Sequence, residues 1–105
     1  MSANNTRLDA IRRGRVLQRL AGEDPYNVSD SALLTALKVY DIDLKIFSLK
    51  EVRQILKYLH GHGLCVLQAN NFSDTDTPWI SLITSQGLDY LSGIGETLEG
   101  VERGF

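Results

Sequence analysis

Before residue 60 the apolar positions repeat with the period of an α-helix in three separate stretches. Leu8, Ile11, Leu17 and Leu20 mark one face of a first helix, with Thr6 as its expected N-cap and Asp9 as the acid three residues on. Gly22 and the following "EDP" are stop signals, so this helix is expected to end near residue 21. Leu33, Leu34, Leu37 and Tyr40 give the buried face of a second helix that ends near Tyr40. Ser29 is placed to cap it, with Val28 and Leu33 as a hydrophobic staple. The third start signal is the strongest. In "FSLKEV", Ser48 and Glu51 make an S-x-x-E capping box, Phe47 can staple to Val52, and Leu49, Val52, Leu56 and Leu59 continue the stripe to about residue 60.

After residue 63 the period changes. "LCVLQA" (64–69) and "WISLI" (79–83) are short apolar runs suited to a pleated, half-buried surface. The polar "NNFSDTDTP" between them is turn-forming, which predicts a β-hairpin with a loose tip. "ITSQGL" then opens a short helix to about Leu91, capped by Thr84 and stapled by Ile83 and Leu88. Between the second and third helices, "DIDLKIF" is longer than a tight helix-turn-helix connection, and its alternating Ile42, Leu44 and Ile46 predict a short strand near the hairpin. The last stretch, "SGIGETLEGVERGF", has four glycines in fourteen residues, which disfavours a long helix even though Glu96, Glu99 and Glu102 recur at every third position. The expected fold class is α+β: a three-helix core, a two-stranded hairpin laid over its open side, and a short C-terminal helix. Residues 1–6 are expected to fray, 7–92 to form the single domain, and 93–105 to form a Gly/Glu-rich tail.

Composition narrows the class without naming a task. A chain of 105 residues supports one modest core. One cysteine allows no internal disulfide, and no apolar run approaches the roughly 18 residues of a membrane span. The opening "MSANNTRLDA" lacks the apolar stretch of a signal peptide, so a cytoplasmic protein is expected, with no membrane partner. Net charge is −2, unevenly divided: residues 1–57 carry +3 and residues 58–105 carry −5. Five arginines lie between Arg7 and Arg19. Such a basic first helix and an acidic C-terminal tail suit each other, within a chain or across a dimer.

The stretch "YLHGHGLCVL" holds both histidines and the cysteine. A metal site would need three ligands, and H-x-H-x-x-C has neither the Cys-x₂₋₄-Cys nor the His-x₃₋₅-His spacing of short zinc motifs. The structural reading is a helix end stopped by Gly61 or Gly63, His60 and His62 in the last turn, and Cys65 as a small buried hydrophobe in a strand. Burial there disfavours a nucleophilic thiolate, and "GHG" is too short for a phosphate loop. Neither an enzyme nor a cofactor is expected.

What remains is a binding surface. Opposite the apolar stripe of the third helix, Lys50, Arg53, Gln54 and Lys57 share one polar face at i, i+3, i+4, i+7. Lys and Arg take phosphates or guanine edges and Gln54 can read adenine, although any amphipathic helix also needs a solvated face. Arg12, Arg13 and Arg15 are auxiliary candidates for phosphate contact, against the plainer reading of surface ion pairs. Asp74 and Asp76 at the hairpin tip would repel phosphate, and Trp79 is expected in the core rather than stacked on bases.

"IRRGRVLQRLAG", "VSDSALLTAL", "SLKEVRQILKYLHGHGL" and "ITSQGLDYL" together resemble the winged helix-turn-helix regulators of the ArsR-like type, in particular the small winged-helix proteins of Mu-like phages and prophages. The resemblance covers about residues 7–93. Its best marks are the helix–glycine–strand junction in "LKYLHGHGL" and the T-x-x-G-x-x-x-L helix in "LITSQGLDYL". It implies a DNA-binding protein, either a phage or prophage transcriptional regulator or a DNA-binding accessory protein, with double-stranded DNA as partner. It also implies a homodimer through the first helix and the C-terminal segment, placing Leu8, Ile11 and the residues from Thr84 onward at an interface. The paired cysteines of the metal-sensing members are absent. The alternative from another class is a protein–protein adaptor that keeps this scaffold without DNA affinity, a reading that the acidic tip and the pI of about 5.6 favour.

Overall fold

The computed structural model describes residues 3–68 and 77–103, and it is α+β with four helices and one small antiparallel sheet. In chain order the elements are α1 (Ala3–Glu23), β1 (Val28–Ser29), α2 (Asp30–Tyr40), a 3₁₀ turn (Ile42–Leu44), α3 (Leu49–Gly61), β2 (Cys65–Gln68), β3 (Ile80–Ile83) and α4 (Ser85–Leu91). The sheet order is β1-β3-β2, with Val28 opposite Ser81 on one side of β3 and Cys65 opposite Ile83 on the other. This succession of elements is compatible with a winged-helix layout. The hairpin tip, with Asp74 and Asp76, lies outside the described residues.

The capping chemistry explains where three helices begin. Ser29 Oγ accepts from Ala32 N at 3.2 Å, Ser48 Oγ from Glu51 N at 3.2 Å, and Thr84 Oγ1 from Gly87 N at 3.0 Å. The Ser48 box closes one residue early, because Glu51 Oε1 accepts from Phe47 N rather than from the cap's own amide. Phe47 stays 55% exposed, so it does not staple the helix. At the other end of α3, Gly63 adopts φ 74°, a left-handed conformation that costs glycine nothing.

The core is one cluster. Val16, Leu17 and Leu20 of α1, Leu33 and Leu37 of α2, and Val52, Leu56 and Leu59 of α3 converge on Cys65 and Ile83 of the sheet and on Leu64 and Trp79, which immediately precede β2 and β3. Trp79 is 2% exposed, as its place at the hairpin base required.

Further expectations need correction. α1 runs through Thr6, which therefore does not cap it, and continues two residues past the predicted stop, to Glu23. Tyr40 is 69% exposed instead of buried; it sits at the helix end, where Arg19 lies 4.9 Å over its ring. The "DIDLKIF" link is no strand: it makes a 3₁₀ turn closed by Lys45 at φ 56°, which buries Leu44 and Ile46 and leaves Ile42 in solvent. The sheet has a third strand, β1, which carries the Ser29 cap of α2 onto β3.

The tail is not a loose appendage. Val101 is fully buried, Glu102 N donates to Ala10 O on α1, and the Tyr90 hydroxyl donates to Val101 O and accepts from Leu98 N. Arg103 ties the loop shut by donating to Tyr90 O, Gly95 O and Thr97 Oγ1. No helix among the described residues is long and apolar enough to cross a membrane.

Candidate nucleic-acid interface

Because α3 buries Val52, Ile55, Leu56 and Leu59, its opposite side faces solvent, and Lys50, Gln54 and Lys57 stand there exposed. They are one turn apart in each direction from Gln54, which puts two ammonium groups and one amide on a single stripe. Neither lysine makes an ion pair or hydrogen bond to another described residue. Near the end of the helix His60 is also exposed, its Nδ1 3.1 Å from Cys65 O.

Arg53 does not join them. Its side chain is only 12% exposed and turns along the sheet side of the helix. Nε donates to Asp30 Oδ2 at 2.6 Å, Nη2 donates to Thr77 O at 3.1 Å, and the guanidinium lies 4.9 Å from the centroid of the Trp79 ring. Asp30 itself is 2% exposed, a buried carboxylate that would be untenable without its cation. The residue expected to grip phosphate therefore holds the start of α2, α3 and the sheet together.

The three auxiliary arginines of α1 are likewise turned inward. Arg12 Nε donates to Leu44 O at 2.8 Å. Arg13 Nη1 donates to Gly100 O at 3.1 Å while its guanidinium stacks 3.8 Å over Tyr58. Arg15 Nη1 reaches Asp41 Oδ1 at 3.1 Å and Asp43 Oδ2 at 3.7 Å, and Arg19 Nε reaches Asp41 Oδ2 at 2.7 Å. Apart from Asp9 within α1, 3.9 Å from Arg12, the acidic partners of the basic helix among the described residues are in the α2–α3 link, not in the tail, whose contact with α1 runs through backbone carbonyls and amides. Asp30 and Asp41 carry this arrangement and were not singled out from the sequence. The available sign was an acid pair, Asp41 and Asp43, set in an otherwise apolar link across from a helix rich in arginine.

Between α1 and α3, beside Gln54, lies a polar cleft of about 190 Å³ lined by Asp9, Arg12, Arg13, Glu51, Gln54 and Ile55. Its two carboxylates offset its two guanidinium groups, so it offers no net charge to an anion. Cys65 is 2% exposed, and desolvation pushes its thiol up to about 12 from 9.0. It points Sγ toward Leu56 O and is inert at neutral pH. His62 stacks on Tyr58 with centroids 4.7 Å apart. Among the described residues, no three His, Cys, Asp or Glu side chains are grouped so as to hold a metal ion.

One other surface is distinctive. Val39, Tyr40, Ile42 and Phe47, between 55% and 69% exposed, fall within nine residues around the end of α2 and the 3₁₀ turn. No protein-family model, no curated protein and no solved structure matches this chain.

Proposed function

We propose that the chain is a winged helix-turn-helix protein that binds double-stranded DNA through the outward stripe of α3, as a phage or prophage regulatory or accessory protein. The observation that carries this reading is the pair of unpartnered, exposed ammonium groups of Lys50 and Lys57 flanking the free amide of Gln54 on a rigidly packed helix. A helix of that kind fits the major groove, where lysines take phosphates and an amide can reach a base edge. The element order and the β1-β3-β2 sheet agree with it, as does the resemblance at "LKYLHGHGL" and "LITSQGLDYL". The mechanism is binding without chemistry. In a homodimer through α1 and the segment from Thr84 onward, the two copies would meet at surfaces of α1 left open by their own tails, which already lie on Ala10 and Arg13.

A second reading is favoured by the exposed Val39, Tyr40, Ile42 and Phe47, which suit an adaptor that meets another protein. Amide NMR titration with a short mixed-sequence duplex separates the two. Shift changes centred on residues 50–57 are expected. No shifts at any duplex concentration would overturn DNA binding and leave the apolar surface as the functional one.

A further inference from the structure

The cations of this protein are divided by type. Arg12, Arg13, Arg15, Arg19, Arg53 and Arg103 each donate to another part of the chain, to carbonyls of the 3₁₀ turn, the tail and the α4 end or to Asp30 and Asp41. Of the described arginines only Arg7 has no such partner, and it lines an open groove on α1 with Glu99 and Glu102. The four lysines, Lys38, Lys45, Lys50 and Lys57, are all exposed. The planar, forked donors are spent on the fold, and the compact point charges are left for the outside.

That division bears on what the α3 stripe can recognise. A guanidinium matches the O6 and N7 acceptors of guanine with two parallel bonds, and this is the commonest way a protein chooses one base pair. With Arg53 bound to Asp30, Thr77 and Trp79, that device is missing from the stripe. An ammonium group can also donate to guanine O6 or N7, but it lacks the fixed fork, and on its flexible stem it meets a phosphate equally well beside any base. Gln54 alone carries a donor and an acceptor in one rigid amide, the pair that matches N6 and N7 of adenine.

Resting on the DNA-binding reading above, we infer that the α3 face holds duplex DNA through its phosphates with little regard to sequence, and that Gln54 supplies its one base preference, for adenine. The protein is then suited to coating or bending DNA, or to acting where a partner chooses the site, rather than to picking a single operator.

Fluorescence anisotropy tests this with a panel of short duplexes of unrelated mixed sequence, and with one of them rebuilt with 7-deazaadenine, which lacks the N7 acceptor. Affinities across the unrelated duplexes are expected to agree within about tenfold, against the roughly 10³-fold or more that separates specific from non-specific sites in operator-reading proteins. The deaza duplex is expected to bind wild type several-fold more weakly and to bind Gln54→Ala no differently from its parent. Discrimination of about 10³-fold among the unrelated duplexes overturns the inference while leaving DNA binding in place. Equal affinity of wild type for the deaza duplex and its parent overturns the role of Gln54. Failure to bind any duplex removes the DNA-binding reading itself.

Discussion

At Asp30 a carboxylate that is 2% exposed faces a guanidinium that is 12% exposed, 2.6 Å away. Such a pair adds little against a well-packed apolar substitute, but removing one partner leaves a buried charge alone. Asp30→Asn is therefore expected to destabilise the fold by about 3 kcal/mol in urea unfolding, with thiol accessibility rising in parallel. An effect below about 0.5 kcal/mol, the size of an ordinary surface change, would show that Arg53 is not held as described. Cys65 gives a pH prediction. Its thiol is raised in the folded state, so both states carry the proton below pH 9, and only the unfolded state loses it as pH rises from 9.0 towards about 12. The contribution is thus constant through neutral pH and is lost in that alkaline window. Cys65→Ser is expected to flatten the alkaline fall in melting temperature, and an unchanged fall would assign it to other groups.

At the scale of elements, the local chemistry was legible where side chains act on their own backbone. Ser29, Ser48 and Thr84 were all recognisable as caps because the hydroxyl and its target amide lie three residues apart in the chain. Ser48→Ala is expected to cost about 1 kcal/mol for that reason. Gly87 shows a different kind of constraint. It stands in the T-x-x-G helix, and a Cβ there would collide with Leu64 O and lie 2.7 Å from Ile83 Cγ1. Gly87→Ala is expected to destabilise by about 1–3 kcal/mol despite its better helix propensity, measured by thermal melting; a stabilised variant would contradict the packing of α4 on Leu64 and β3. The link between α2 and α3 was misread because alternation of Ile42, Leu44 and Ile46 is a strand signal only when neighbouring residues keep extended backbone. Lys45 in the left-handed region breaks that run, and nothing about a lysine announces it. β1 escaped notice because two residues are too few for a period.

Over the whole molecule, long-range pairing was what the chain concealed. Spacing placed Lys50, Arg53, Gln54 and Lys57 on one stripe, yet Arg53 reaches round to Asp30 and leaves it, because a long side chain at the edge of a face goes where a buried carboxylate waits. The same holds for Arg12, Arg13 and Arg15, which read as a basic surface and serve as internal ties. The overall charge asymmetry was visible, but its resolution through Asp41 was not. The tail was visible as glycine-rich and was not visible as packed. Val101→Asp, which puts a charge into a fully buried position against α1, is expected to unfold the chain or lower its melting temperature by well over 5 °C, whereas Glu99→Ala on the exposed side is expected to leave it unchanged.

The most direct test of the account is the salt dependence of duplex binding. Each phosphate contact contributes about −0.9 to the slope of log affinity against log salt, measured between about 50 and 200 mM. Lys50→Ala with Lys57→Ala is expected to make that slope shallower by about 1.8, and Arg15→Ala to leave it unchanged in protein that remains folded. A slope lost with Arg15 and kept without the two lysines would contradict the assignment of outward binding to lysine and inward support to arginine.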